Sequence, residues 1–324
     1  MFNALGKLSA GNPAVRDRAY NHLLKYAASP IDKWHKSWKT VFTTHTTLPV
    51  NTVIHGYNAL ITAGFTYPVF MRRYTKFNNP LVQLVYQTFE TNKRQLNIID
   101  VGAAIGDTAF LLSANIPGSI HRMLCIDGDK EFFSYLQHNM QQFKYVTCIN
   151  TFLSSDEVEE KELVRTHSGT ASAQGANLIT AKPLDLVISE DDFTNIDVLK
   201  IDVDGFDGKV MAGAKQLLRR DMPNVIFEWH PILLKQTGNS ASQCFDVLEE
   251  AGYTHFLFFS KFGEFSHYSY GIDKKALAFL EQLCLDNKFK HDWHYDVIAL
   301  PGETKIDMQQ LAACNYANNK ISPF

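Results

Sequence analysis

The chain has 324 residues, of which 45% are hydrophobic and 20% charged, and its formal net charge is −3. These values exclude extended disorder, and the slight acidic excess argues against binding to a nucleic-acid backbone. The sequence contains no run of ~18 apolar residues that would span a membrane, and no apolar N-terminal run typical of a secretory signal. Its five scattered cysteines favour reduced thiols in a cytoplasmic protein over disulfides or a zinc site.

Residues 1–95 differ in pattern from the rest and predict an irregular, partly helical appendage. Helical spacing predicts a helix over Asn12–Ser29, which ends before a proline, and a second helix over Leu81–Phe89. A short strand is expected near Thr52–Ile54, whereas Trp34–Pro49 is rich in aromatic residues and has little periodicity.

From residue 96 to 302, short apolar runs alternate with helical stretches, which is typical of a parallel sheet in a Rossmann-like α/β domain. A tail, 303–324, follows this domain. Seven strands are predicted, namely Asn97–Val101, Arg122–Ile126, Tyr145–Asn150, Asp197–Val203, Asn224–Trp229, His255–Ser260 and Tyr295–Leu300. Helices are predicted at Asp107–Ala114, Lys130–Gln142, Lys209–Arg219 and Ser242–Ala251.

The first of these strands runs into a turn of small residues, Gly102 to Gly106, and then into a helix. The glycine gives the turn a permissive backbone, and small side chains let a ligand lie against it. An acid, Asp127, follows at the ~20-residue spacing expected of a carboxylate that binds ribose hydroxyls at the end of the second strand.

The loop distinguishes between two nucleoside cofactors. A dinucleotide requires glycine at the second and third fingerprint positions, which here are Ala104 and Asp107. An acid at the helix N-terminus would repel a diphosphate, whereas Asp100 and Asp107 suit the sulfonium and ammonium charges of S-adenosylmethionine. The loop therefore favours S-adenosylmethionine over NAD.

Charged residues also occur at the ends of the fourth and fifth strands. Alternation places Lys200, Asp202 and Asp204 on one face of the fourth strand, and Glu228 and His230 end the fifth. Two interpretations are open. The side chains line a ligand cleft, or they belong to a solvated strand end and to a helix cap. Two acids and a histidine could also hold a divalent ion, but no spacing requires a metal.

At these positions the chain resembles the FkbM-type family of S-adenosylmethionine-dependent methyltransferases. The resemblance lies in five motifs, Asp100-Val101-Gly102-Ala103-Ala104-Ile105-Gly106, Asp127-Gly128-Asp129, Leu153-Ser154-Ser155-Asp156, Lys200-Ile201-Asp202-Val203-Asp204-Gly205 and Phe227-Glu228-Trp229-His230. Ala104 stands where the family has asparagine, Asp127 and Asp204 stand for glutamate, and an additional serine precedes Asp156.

The resemblance implies a seven-stranded class I methyltransferase sheet and O-methylation of a saccharide or other small hydroxyl acceptor. It implies cofactor contacts by Asp100, Gly102, Ala103, Gly106, Asp107, Asp127, Gly128, Ser155, Asp156 and Asp202, with the adenine contact open between Ser155 and Asp156. His230 and Asp202 are the candidates for the general base. An oxygen acceptor is favoured over an amine because no N/D-P-P-Y motif follows the fourth strand.

Upstream segments, His55-Gly56, Tyr67-Pro68 and Asn78-Asn79-Pro80-Leu81, resemble the region that precedes the domain in family members that modify cell-surface sugars. We therefore expect the appendage, together with a flexible loop at Thr166–Asn177, to cap the acceptor side of the cleft. An NAD-dependent oxidoreductase and a non-catalytic scaffold are the alternatives. The sequence leaves metal dependence and a homo-oligomeric state open.

Overall fold

The computed structural model describes residues 12–27, 48–167, 170–286 and 293–314, and for residues 26–27, 160–167 and 170–177 it describes the backbone alone. The N-terminal part comprises helix α1 (Pro13–Ala27), strands β1 (Pro49–Ile54) and β2 (Tyr57–Thr62), and helices α2 (Tyr67–Arg73) and α3 (Asn79–Asn92). Most of the aromatic segment Trp34–Pro49 and the end of the C-terminal tail lie outside the described residues.

The elements that follow are, in chain order, β3 (Leu96–Val101), α4 (Asp107–Asn115), β4 (Ile120–Asp127), α5 (Lys130–Met140), β5 (Val146–Asn150), β6 (Phe152–Leu153), β7 (Val158–His167), β8 (Thr170–Lys182), α6 (Leu184–Glu190), β9 (Val198–Ile201), α7 (Asp207–Ala212), α8 (Lys215–Asp221), β10 (Asn224–Trp229), α9 (Pro231–Gln236), α10 (Gln243–Glu250), β11 (Tyr253–Ser260), β12 (Phe265–Tyr270), α11 (Lys274–Leu285), β13 (Tyr295–Pro301) and α12 (Met308–Ala313). All seven predicted strands of the domain are present, with some differences at their ends.

The main sheet has the strand order β5-β4-β3-β9-β10-β13-β11-β12. Strands β5, β4, β3, β9 and β10 are parallel, and β13 is antiparallel to both of its neighbours. The order reverses between β3 and β9, which is where open α/β sheets bind ligands outside the carboxyl ends of their strands. The predicted Rossmann-like α/β fold is thus confirmed.

Among the residues that the structure describes, the main sheet has eight strands, one more than predicted. The additional strand, β12, pairs with β11 at the edge of the sheet after the turn at Gly263. Its sequence, Phe-Ser-His-Tyr-Ser-Tyr, has no buried residue, because an edge strand needs little apolar surface. Serine and histidine residues interrupt its three aromatic residues, so the strand has no continuous apolar run that would have indicated it.

Three further predictions differ from the structure. Strand β9 ends at Ile201, so Asp202 lies just beyond it. The helix predicted over Lys209–Arg219 is two helices, because the Asp185 carboxylate accepts the first backbone N–H groups of α8 and caps a new start there. The predicted loop Thr166–Asn177 is for the most part strand, since β8 begins at Thr170, and residues 168–169 are outside the described part.

The N-terminal part is more regular than predicted. Strands β1 and β2 form a hairpin whose two turn residues, His55 and Gly56, both have positive φ (49° and 86°), as a type I′ turn requires. Its apolar side chains share one hydrophobic cluster with one face of the main sheet. The Asn139 side chain of α5 strengthens this attachment by pairing with both backbone groups of Leu60 and donating to the Ile105 carbonyl.

The N-terminal part covers this face of the sheet as far as the edge formed by β11 and β12. The Tyr74 ring lies 4.2 Å from the Phe262 ring in the turn between β11 and β12, and Lys76 pairs with Glu264 at 2.7 Å. The N-terminal segment therefore extends from α5 to the β11–β12 turn. In the parts of the chain that the structure describes, no helix is long and apolar enough to cross a membrane.

Candidate active site

The turn after β3 is held closely against the neighbouring strands. The backbone N–H groups of Gly102 and Ala103 both donate to the Ile126 carbonyl, at 2.9 and 3.1 Å. Gly102 has φ +78°, and a Cβ atom there would overlap the carbonyl oxygen of Asp202. The glycine is needed for contact with the chain after β9, a reason that the sequence alone does not indicate.

Asp127 joins the turn to the end of β4. It is 8% exposed, and its two carboxylate oxygens accept the backbone N–H groups of Ala104 (2.7 Å) and Asp129 (2.8 Å). Burial raises the pKa of Asp127 to about 7, although these two hydrogen bonds oppose the rise. Each oxygen keeps a second acceptor position, so the carboxylate can also receive two hydroxyl groups.

Ala104 occupies a position that favours a different residue. Its φ is +46°, in the left-handed region, where asparagine is tolerated better than alanine. Its short hydrogen bond to Asp127 fixes this backbone geometry. The loop thus keeps its conformation without the asparagine side chain.

A buried ion pair lies next to this turn, at the switch between β3 and β9. Asp100 is fully buried, and its Oδ1 atom lies 3.0 Å from the Lys200 ammonium, which is also 3.5 Å from Asp202 Oδ2. Burial opposes the charge of Lys200, but Asp100, Asp202 and Asp107 outweigh it and raise the pKa of the ammonium. Within the described residues, Asp100 Oδ2 accepts no hydrogen bond.

Asp107 begins α4 beside this pair. Burial raises its pKa to about 7, with Lys200 opposing the rise and Asp100 adding to it. The structure therefore brings Asp100, Gly102, Asp107, Asp127 and Asp202 together around one turn at the carboxyl edge of the sheet.

The remaining predicted cofactor residues differ in their surroundings. Ala103 is buried, Gly106 begins α4 as its N-cap, and Gly128 is partly exposed between Asp127 and α5. Ser155 is half-buried and Asp156 is exposed, and both follow β6 in a separate three-stranded sheet, β6-β8-β7. That sheet contacts the turn after β9 through the Phe152 and Phe206 rings, which are 5.2 Å apart.

A second group of ionisable side chains lies at the ends of β10 and β13. Glu228 is directly opposite Asp296 in the register of these strands, and its Oε1 atom is 3.2 Å from His294 Nε2. Burial raises the pKa of Glu228 well above its usual range and that of Asp296 to about 7. Sequence reasoning missed Asp296, although a single acid within the apolar run Tyr295–Leu300 was a usable signal.

His230 has a clear local role in the structure. It is 5% exposed, its ring stacks on that of His294 at 4.5 Å, and its Nδ1 atom caps α9 by accepting the Leu233 N–H at 3.5 Å. Asp202, the other candidate base, has a side chain that is 49% exposed. Among the described residues, no group of three or more His, Cys, Asp or Glu side chains is arranged to hold a metal ion.

The buried acids predict how the stability of the ligand-free protein depends on pH. Asp107, Asp127, Asp207 and Asp296 each have a folded-state pKa near 7, above the unfolded value of 3.8. A raised acid pKa stabilises the fold at low pH, and this stabilisation is lost as pH rises through the folded pKa, by up to about 1.4 kcal/mol per pH unit and group. Buried His55, whose pKa is lowered to about 4, has the opposite effect on stability, because the fold loses stability as the pH falls below about 6.5.

We therefore expect the free energy of unfolding, measured by urea denaturation, to fall between pH 6.5 and 8. Asp207→Asn removes one of the titrating groups and should make this slope shallower. A free energy of unfolding that rises over the same interval would contradict the assigned burial of these carboxyls.

Comparison with known proteins gives a family match and several structural similarities. Residues 100–254 match the model of the methyltransferase FkbM domain. The fold is similar to that of methyltransferase FkbM from Methylobacillus flagellatus KT, with 12% identity, a TM-score of 0.41 and coverage of 88% of this chain and 59% of that one. The chain thus spans less than two thirds of that protein.

Two further solved structures show weaker similarity. The O-methyltransferase from Bacillus cereus in complex with SAH is 12% identical, with a TM-score of 0.38 and coverage of 69% of this chain and 80% of that one. The precorrin-6y C5,15-methyltransferase from Geobacter metallireducens GS-15 is 14% identical, with a TM-score of 0.35 and coverage of 69% and 86%. No curated protein matches the sequence.

Proposed function

We propose, because residues 100–254 match the model of the methyltransferase FkbM domain, that the chain transfers a methyl group from S-adenosylmethionine to a hydroxyl group of a saccharide or another small acceptor. The observation that supports the cofactor best is Asp127. It is a buried carboxylate at the end of β4 that fixes the turn after β3 and keeps acceptor positions for two ribose hydroxyls.

The charges around the turn suit a cationic ligand. Asp100, fully buried with one oxygen that accepts no hydrogen bond from the described residues, and Asp107 at the start of α4 would hold the ammonium group. Asp202 and Lys200 complete the edge of this site. When bound, S-adenosylmethionine supplies an electrophilic methyl group on a positively charged sulfur.

The same charges argue against a nicotinamide dinucleotide. Its diphosphate needs backbone N–H groups and glycine at the start of the helix, but Asp107 occupies this position. Lys200 does not compensate, because Asp100 and Asp202 already bind its ammonium group. An oxidoreductase therefore has less support than a methyltransferase.

We also propose that the N-terminal part, together with the hairpin β7–β8, encloses the acceptor. The N-terminal part shares its hydrophobic cluster with the sheet face that carries Ile98, Val198 and Ile226. By strand alternation, Asp100, Lys200 and Glu228 point to this same face. An acceptor held between them would be shielded from water and aligned with the methyl group, which accelerates displacement at carbon.

Isothermal titration calorimetry with S-adenosylhomocysteine and with NAD, in separate titrations, tests the proposal. We expect the first ligand to bind with a dissociation constant in the micromolar range or below and the second to show no heat of binding. Binding of NAD alone would favour the oxidoreductase, and binding of neither ligand would favour a scaffold that has kept the fold.

A further inference from the structure

A row of ionisable side chains crosses four neighbouring strands at the carboxyl edge of the sheet. The strand register places Asp100 opposite Lys200 on β3 and β9, and Glu228 opposite Asp296 on β10 and β13. All four share the face covered by the N-terminal part, since Ile98, Val198, Ile226 and Ile298, two residues away in each strand, pack in that cluster. Inner strands of such a sheet are usually apolar on both faces, so this row requires an explanation.

Glu228 and Asp296 are the unusual pair in this row. Residues directly opposite on antiparallel strands have Cβ atoms about 4.5–5.5 Å apart, and like charges at such positions are destabilising. Other acids add to this repulsion, because Asp202, Asp204 and Asp207 also raise the pKa of Glu228. Asp202 likewise raises the pKa of Asp296, and Lys200 opposes that rise. Only His294, at 3.2 Å from Glu228, offers a direct ion-pair partner among the contacts described. Burial and this repulsion together favour the protonated form of the two carboxyls.

The row also contains acceptor atoms that a ligand would satisfy. Asp100 Oδ2 belongs to a fully buried side chain, and Glu228 Oε2 to one that is 14% exposed, and neither accepts a hydrogen bond within the described residues. Leaving a buried acceptor unpaired costs about 1–3 kcal/mol. A molecule that brings O–H or N–H donors to this row would recover that cost.

We propose that the Glu228–Asp296 pair binds the acceptor and takes the proton of its hydroxyl group during methyl transfer. This inference rests on the proposed function. The acceptor oxygen forms the new O–C bond while the C–S bond breaks and its electron pair stays on sulfur. The hydroxyl proton passes to the ionised carboxylate of the pair and is later released to water.

The pair fits this role better than the two residues indicated by the sequence. His230 already uses Nδ1 to cap α9, and Asp202 has a half-exposed side chain close to Lys200. Asp296 and Glu228 are instead on rigid strands under the N-terminal cover. A group that titrates near the working pH is also the most effective general base.

The charge of the row further restricts the acceptor. Its acids outnumber Lys200, so it attracts cationic acceptors, admits neutral ones and repels anionic ones, which would bring a further negative charge into a desolvated site. The acceptor class that follows is a neutral sugar or an amino sugar, and sugar phosphates and uronic acids are excluded.

Three monosaccharides of similar shape test this restriction. Glucose, glucosamine and glucuronate would be titrated into the protein saturated with S-adenosylhomocysteine, with binding followed by saturation-transfer NMR. We expect glucosamine and glucose to bind, and glucuronate to bind at least ~10-fold more weakly. In Asp296→Asn and Glu228→Gln this difference should shrink, and in Glu190→Gln, which removes an exposed acid paired with Lys182, it should persist.

Several results would overturn the inference. Glucuronate binding as well as glucosamine, no binding of any of the three sugars, or an unchanged order in both row variants would each contradict it. If the wild type does not bind S-adenosylhomocysteine, the proposed function itself is contradicted, so the two failures are distinguishable.

The proton transfer has its own measurement, the pH dependence of S-adenosylhomocysteine formation with whichever sugar binds. We expect activity to rise through about pH 7 in the wild type and this dependence to disappear in Asp296→Asn. His230→Asn, which keeps a side chain able to cap a helix, should retain it. Loss of the dependence in His230→Asn and not in Asp296→Asn would assign the base to the histidine.

Discussion

Replacing Asp127 with asparagine is expected to weaken S-adenosylhomocysteine binding by about 30- to 1,000-fold. The hydrogen bonds from two ribose hydroxyls would lose their charge assistance, at a cost of roughly 1–2 kcal/mol for each bond. It would also lose its position between two backbone donors, since the amide can accept from Ala104 or from Asp129 but not from both. Isothermal titration at pH 7.5 gives the ratio of the dissociation constants directly.

Asp129→Asn is the matched control for this substitution. It changes the same charge two residues away, at a side chain that caps α5 by accepting from Glu131 and Phe132, and asparagine is an equally good cap. Its affinity should stay within about threefold of the wild type. Equal losses in the two variants would mean that charge near the turn, and not a contact of Asp127, determines binding.

The pH dependence of binding gives independent evidence on Asp127. Because its pKa in the ligand-free protein is about 7, S-adenosylhomocysteine should bind more tightly as the pH rises from 6 to 8. The dependence should be shallower in Asp127→Asn. Asp107 titrates in the same range, so part of the dependence should persist.

The sequence predicted those parts of the fold that have strong local signals. Buried strands such as Asn97–Val101 have continuous apolar runs, and a parallel sheet brings their carboxyl ends to one edge, so Asp100 and Asp127 could be placed together without a structure. Strand β12 and the hairpin β1–β2 lack such runs, and their pairing depends on long-range contacts.

The same limit applies to single residues. Alternation assigned Asp202 and Asp204 to one face of a strand, but the strand ends at Ile201, and Asp204 has φ +50°. Asp296 has no motif around it and becomes notable only when β13 is placed beside β10. The surroundings of each of these side chains depend on its tertiary neighbours and not on the local sequence.

Replacing Gly102 with alanine should destabilise the whole domain, an effect separate from any loss of cofactor binding. The added Cβ atom would overlap the Asp202 carbonyl oxygen, so β3 or the chain after β9 would have to move. The positive φ of +78° adds about 1–2 kcal/mol of backbone strain. The overlap costs about 1–3 kcal/mol more, so the loss in free energy of unfolding should be about 2–5 kcal/mol by urea denaturation.

Gly118→Ala separates these two contributions. Gly118 has nearly the same φ, +77°, but a Cβ atom there would have nothing within 4 Å, so the substitution adds strain without overlap. Its cost should be about 1–2 kcal/mol, and the difference between the two variants measures the contact of the turn with Asp202. Equal costs would show that the turn can move away from β9, and the close packing that places Asp100, Asp127 and Asp202 around one turn would then not be a fixed feature of the protein.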